Sequence, residues 1–76
     1  MKRQQNIPAI EYVRKSLARR ITQARRAAGL IQAELARRAG IRPETLNRLE
    51  KGKTTPAIAT VIKIERALET VQTTAE

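Results

Sequence analysis

The chain has 76 residues and a formal net charge of +9, and it contains no Cys, His, Phe or Trp. A single domain of this size holds a small core, with no disulfide to staple it and no thiolate or imidazole for metal binding or general-base catalysis, so neither an enzyme nor a cofactor is expected. One tyrosine offers little for stacking on splayed bases, which argues against single-stranded nucleic acid; no apolar run suits a signal peptide or membrane span, so a cytoplasmic protein is expected.

Residues 1–6 read as a polar, disordered tail. From Pro8, apolar residues Ile10, Val13, Leu17, Ile21, Ala24 and Ala28 recur in steps of three and four with no Gly or Pro until Gly29. That spacing predicts one amphipathic helix over about 8–28, or two in line with a bend near Lys15 and Ser16. A second helix is expected over about 32–39, a third over 43–50 and a fourth over 57–69, with Pro43 and Pro56 at helix starts where a missing N–H costs little. On the fourth, Ile58, Val61, Ile62 and Leu68 are expected to form the core stripe. Residues 70–76 read as a second disordered tail, leaving one domain over 7–69.

The segment 32–53 is the most informative. Leu35, Ala36 and Ala39 share one face of a short helix, Gly40 permits a sharp positive-φ turn, and Leu46 and Leu49 face inward from the next helix. This is the pattern of a DNA-binding helix-turn-helix, over 32–51, whose second helix enters the major groove. Residues 14–53 carry twelve Lys/Arg against Glu34, Glu44 and Glu50, so the whole net charge sits in this window and the flanks cancel. A solvated basic face kept for solubility is the bland alternative, but the coincidence with the motif favours a polyanion-binding surface.

The landmarks Arg25 through Leu30, Gln32-Ala33-Glu34-Leu35-Ala36, Gly40-Ile41, Glu50-Lys51-Gly52-Lys53, Pro56, and Thr60-Val61-Ile62-Lys63-Ile64 to Leu68 together resemble the phage-repressor-like (Cro/CI, XRE) helix-turn-helix family. The resemblance implies an all-α, lambda-repressor-like bundle, here of four helices with an N-terminally extended first helix. Three departures stand out. Ile31 and Arg42 occupy positions where the family usually caps its second and third helices with Ser or Thr, and no fifth helix follows Leu68. The surface that helix would cover must be covered otherwise, and the extra N-terminal turns are the obvious candidate.

Site residues follow from both readings. Gln32, at the start of the second helix, has an amide able to donate to a phosphate, a role the resemblance also gives it; otherwise it is an ordinary exposed glutamine. The recognition helix presents Arg42, Pro43, Glu44, Asn47 and Arg48 opposite its buried leucines. Arg48 suits guanine, Asn47 adenine and Glu44 cytosine, although Glu44 equally suits the helix dipole. Matching the helix to the family implies base contacts at Pro43, Glu44 and Arg48, Pro43 offering only apolar contact. Lys51, Lys53 and Thr54 read as phosphate contacts, and a minority of Arg19, Arg20, Arg26, Arg37 and Arg38 are expected to join them. Arg25 borders the core stripe, and family members pair its position with that of Glu50, so this pair is assigned to architecture.

The functional expectation is a sequence-specific duplex-DNA-binding protein, a transcriptional repressor working as a homodimer on a palindromic operator. The alternative is an antitoxin that autoregulates its operon and binds a cognate toxin, since the segment 7–13 ahead of the domain resembles that of small antitoxin members of the family. Two other classes are a basic protein–protein adaptor without DNA readout and a membrane-surface peptide; the landmarks disfavour both. Ile7, Ile10, Tyr12 and Val13 form an apolar cluster that either covers the vacant surface within one subunit or meets a second subunit or partner.

Overall fold

The computed structural model describes residues 9–74, with side chains to residue 71. Four helices follow one another: α1 (Ala9–Ala27), α2 (Gln32–Ala39), α3 (Pro43–Glu50) and α4 (Ile58–Thr74). The described residues form an all-α helix-turn-helix bundle in which α2 packs against α3 and α4, and α1 against α3. The first helix is one continuous element, without the bend considered above.

The core gathers around the motif. Ile21 of α1, Leu35, Ala36 and Ala39 of α2, Leu46 and Leu49 of α3, and Ile64 and Ala67 of α4 are buried together, with Leu17, Leu30, Ile41 and Leu68 packed on their edges. Alanine at 36, fully buried, lets α2 and α3 cross closely. Gly40 then ends α2 at φ 71°, donating its N–H to the carbonyls of Ala36 and Arg37. A side chain there would strain the turn, since φ in this region suits glycine. Neither Ile31 nor Arg42 makes a side-chain cap, and Pro43 opens α3 with its preset backbone angle.

Three expectations need correction. The stripe of α4 is set by Ile64 and Ala67, flanked by half-buried Val61, Leu68 and Val71; Ile58 is 78% exposed and Ile62 42%. Ile58 and Ile62 lie on a neighbouring sector of the helix, because packing on α2 fixes its rotation about Ile64. The helix also runs to Thr74, so residues 70–74 are helical rather than a tail: no Gly or Pro stops it, and the half-buried Val71 prolongs the stripe. Finally, the described N-terminal turns do not fold over the surface they were expected to cover, since Ile10, Tyr12 and Val13 are all exposed. The expectations for Ile7 and for residues 1–6 fall outside the described residues, as do 75–76.

What remains is an open apolar groove of about 220 Å³ between α1 and α4, lined by Leu17, Ile21, Ala24 and Leu68 with Arg20, Glu65 and Glu69 at its rim. Arg20 and Glu65 face each other there at 3.8 Å. Tyr12, Val13 and Ser16 continue the groove along α1.

Candidate nucleic-acid interface

The recognition helix is short and its two leucines are buried, so its remaining positions are forced outward. Arg42, Pro43, Glu44, Thr45 and Arg48 are exposed, and Asn47 is half-buried. A wide cleft is lined by Gln32, Pro43, Glu44, Asn47 and Arg48, bringing the start of α2 beside the expected reading face of α3. A smaller polar cleft of about 220 Å³ lies against Thr45, Arg48 and Thr54. Arg48 thus stands between the two, with Gln32, Pro43, Glu44 and Asn47 on one side and the hydroxyls of Thr45 and Thr54 on the other.

Beneath this face lies a continuous hydrogen-bonded chain. Arg25 Nε and Nη2 donate to the two carboxylate oxygens of Glu50 at 2.8 and 3.0 Å, and Nη1 donates to the Leu30 carbonyl at 2.8 Å. Gln32 Nε2 donates to Glu50 Oε1 at 2.8 Å, and Asn47 Nδ2 donates to Gln32 Oε1 at 3.2 Å. The side chains of Arg25 and Glu50 are only 11% and 5% exposed. The pair therefore ties α1 to the end of α3 and the turn before α2. Its carboxylate also holds the half-buried Gln32 amide at the start of α2. Gln32 retains one amide hydrogen for an outside acceptor, because only one of its two is used here.

Burial disfavours the charged form of Glu50. Hydrogen bonds from Arg25 and Gln32, the charge of Arg25 and the Thr22 hydroxyl outweigh it, and the carboxyl titrates below its ordinary range. Because protons bind the unfolded glutamate more readily, stability from this group is complete above the unfolded value, about 4.3, and is lost as pH falls through the lower folded value. Thermal melts from pH 7 to pH 3 should hold steady and then drop below about pH 4.3, and a flat profile would contradict the assignment. Glu34 acts in the same direction, its carboxyl held down to about 2 by hydrogen bonds from Arg37 and then Arg38.

Several cations are thereby occupied. Arg37 and Arg38 bond Glu34, Arg20 faces Glu65, and Lys15 lies 3.7 Å from Glu11. Among the described residues, Arg42, Arg48, Lys51 and Lys53 have no acidic partner, and these surround α3 and its exit. Lys51 and Lys53 are exposed, Thr54 is half-buried, and Arg19 and Arg26 are exposed on α1. The turn at α3's exit is closed by Gly52 at φ 72°, with Gly52 and Lys53 N–H groups donating to the carbonyls of Leu49 and Arg48.

Sequence reasoning missed two placements. Thr45 lies three residues before Arg48, a helical spacing that would have put both on one face. Arg14 bonds the loop after α3, donating from Nε to Thr55 Oγ1 at 2.8 Å. Nothing local signals a contact across 41 residues.

A family model described as "Helix-turn-helix" matches residues 21–74. A protein of Archaeoglobus fulgidus described as an uncharacterized HTH-type transcriptional regulator is 45% identical over 47 residues, spanning 62% of this chain and 67% of that protein. No solved structure gives a significant match.

Proposed function

Because the chain belongs to the XRE-type helix-turn-helix family, a family of DNA-binding domains, we propose that it is a sequence-specific transcriptional repressor that binds a palindromic operator as a homodimer. The observation that carries the reading is the outward face of α3, where Arg48, Glu44, Pro43 and Asn47 gather beside Gln32, with Arg42 exposed just before them. Lys51, Lys53 and Thr54 at the exit of α3, with Gln32 at the start of α2, are the phosphate contacts of this proposal. Arg48 is the principal base reader, its planar fork suited to guanine O6 and N7. Two copies are invoked because one short helix reads only a few base pairs.

Selection from a random duplex library tests the proposal. The wild type should return a site with two related half-sites. Arg48→Ala should cost about 1–3 kcal/mol at that site and flatten one base position in each half. An unchanged site preference would remove Arg48 from the readout.

The dimer contact falls to the exposed side chains Ile10, Tyr12 and Val13, with Ile7 beyond the described residues, and to the groove that continues from them. Deleting residues 1–13 should leave a helical monomer that binds random duplex but no longer binds the palindrome tightly. Sedimentation reads the outcome, and a dimer that persists would move the contact elsewhere. The same exposed apolar cluster favours a second reading, an antitoxin whose toxin covers it and whose DNA binding regulates their shared operon. Co-purification of the product of an adjacent gene would distinguish that case.

A further inference from the structure

The N-terminal half of α1 lies against the loop that leaves the recognition helix. A Cβ placed on Gly52 would stand 3.7 Å from Lys15 Cγ and 3.8 Å from both the Arg14 carbonyl oxygen and Lys15 Cα, so the two backbones are in near contact. Arg14 is half-buried in this corner and its Nε is anchored on the Thr55 hydroxyl at 2.8 Å. That bond uses one of five guanidinium N–H groups and leaves both terminal nitrogens to an outside acceptor. Among the described residues no carboxylate is paired with Arg14: Glu11 faces Lys15, and Glu50 is held by Arg25. The loop adds Lys51 and Lys53, both exposed and likewise without an acidic partner, and leads from Thr54, which shares a polar cleft with Arg48, to Thr55.

From this arrangement we propose that Arg14 is a DNA-backbone contact: with Lys53 and the hydroxyl-bearing loop 54–55, it binds a phosphate of the duplex that the recognition helix reads. The proposal rests on the DNA-binding reading above and adds to it a residue from the turns outside the family's usual first helix. Arg14 on α1 and Lys51 and Lys53 on either side of Gly52 lie on two segments whose backbones nearly touch, none with an acidic partner, and an external polyanion relieves the repulsion among such charges. Duplex DNA is the occupant because the cluster is continuous, through Thr54, with the face carrying Arg48. A guanidinium fixed at Nε also presents its other edge in the geometry that phosphate oxygens accept. The anchoring explains why Thr55, itself aimed at Arg14, belongs to the site: it sets the direction of the fork.

Salt titrations of the full chain on its selected site and on random duplex test this. Arg14→Gln should make the log–log slope of affinity against salt shallower by about 0.9 for each subunit bound. Affinity should fall by the same factor on both DNAs, with the selected sequence unchanged. Arg14→Lys should keep the slope, and Thr55→Val, which leaves the charge in place but untethers it, should weaken both DNAs by a smaller factor. Circular dichroism melts establish that each variant is folded, and Thr55→Val stands as the deciding variant if Arg14→Gln is not. A wild-type slope near zero would overturn DNA binding itself. A steep wild-type slope that Lys53→Gln reduces and Arg14→Gln does not would overturn this assignment alone. Inorganic phosphate at matched ionic strength should displace the duplex no better than chloride, and selective displacement would mark a small-anion site instead.

Discussion

Arg25→Ala and Glu50→Ala should each lower stability by about 3–5 kcal/mol, because either change strands the other charge in a nearly dry setting. The geometry makes the loss broad. Removing Arg25 takes one donor from each carboxylate oxygen, leaving Oε1 to Gln32 alone, and leaves the Leu30 carbonyl without its side-chain donor. Removing Glu50 orphans the guanidinium and releases Gln32 as well. With a core cluster of only eight buried side chains among the described residues, such a loss approaches the whole margin of stability. The double variant should be less damaged than the two single losses added together, since it retains no uncompensated charge. Denaturant melts of the four proteins supply the cycle. Simple additivity would mean that the pair does not act as a unit.

Affinity for duplex DNA should fall by roughly 10⁴–10⁵ between 50 and 200 mM salt. That figure corresponds to a dimer neutralising about eight to ten phosphates, with a log–log slope on the order of −7 to −9. The cations able to contribute are those without a carboxylate partner around α3 and its exit, whereas Arg37 and Arg38 are already committed to Glu34. Lys53→Ala should weaken the selected site and random duplex about equally, in contrast to Arg48→Ala, whose effect is on choice of base. A slope that stays near zero across the range would remove the phosphate contacts as a group.

The motif was legible because its determinants are local. Gly40 and Pro43 act on their own backbone angles, and the leucines of α2 and α3 fall at helical spacing. The orientation of α4 was not legible for the opposite reason. Ile58, Val61, Ile62, Ile64, Ala67, Leu68 and Val71 spread apolar character around much of the helix, so periodicity names no single face. Only packing against α2 selects Ile64. Arg25 and Glu50 became visible through the family resemblance and the place of Arg25 beside the core stripe. Gln32 was read by itself as a phosphate donor, and its bonds to Glu50 and Asn47 depend on how α2 crosses α3. The contact between Arg14 and Thr55 has the same origin: it follows from where the first helix lands, which no short-range pattern encodes.

The chain from Arg25 to Asn47 has a direction, and that direction begins at a group that can only accept. Ionised Glu50 obliges Gln32 to turn its NH₂ inward; the Gln32 oxygen must then face Asn47, and Asn47 must offer an N–H in return. Each amide is thus prevented from flipping by the one below it. Half-buried Asn47 keeps its carbonyl oxygen and one N–H uncommitted, the two groups that the proposed DNA reading would offer to an adenine edge. Ordering such side chains ordinarily costs about 0.5–1.5 kcal/mol each at the moment of association. Here the rotamer entropy of Gln32 and Asn47 is surrendered when the domain folds, so the proposed reading face would meet a duplex already preorganised.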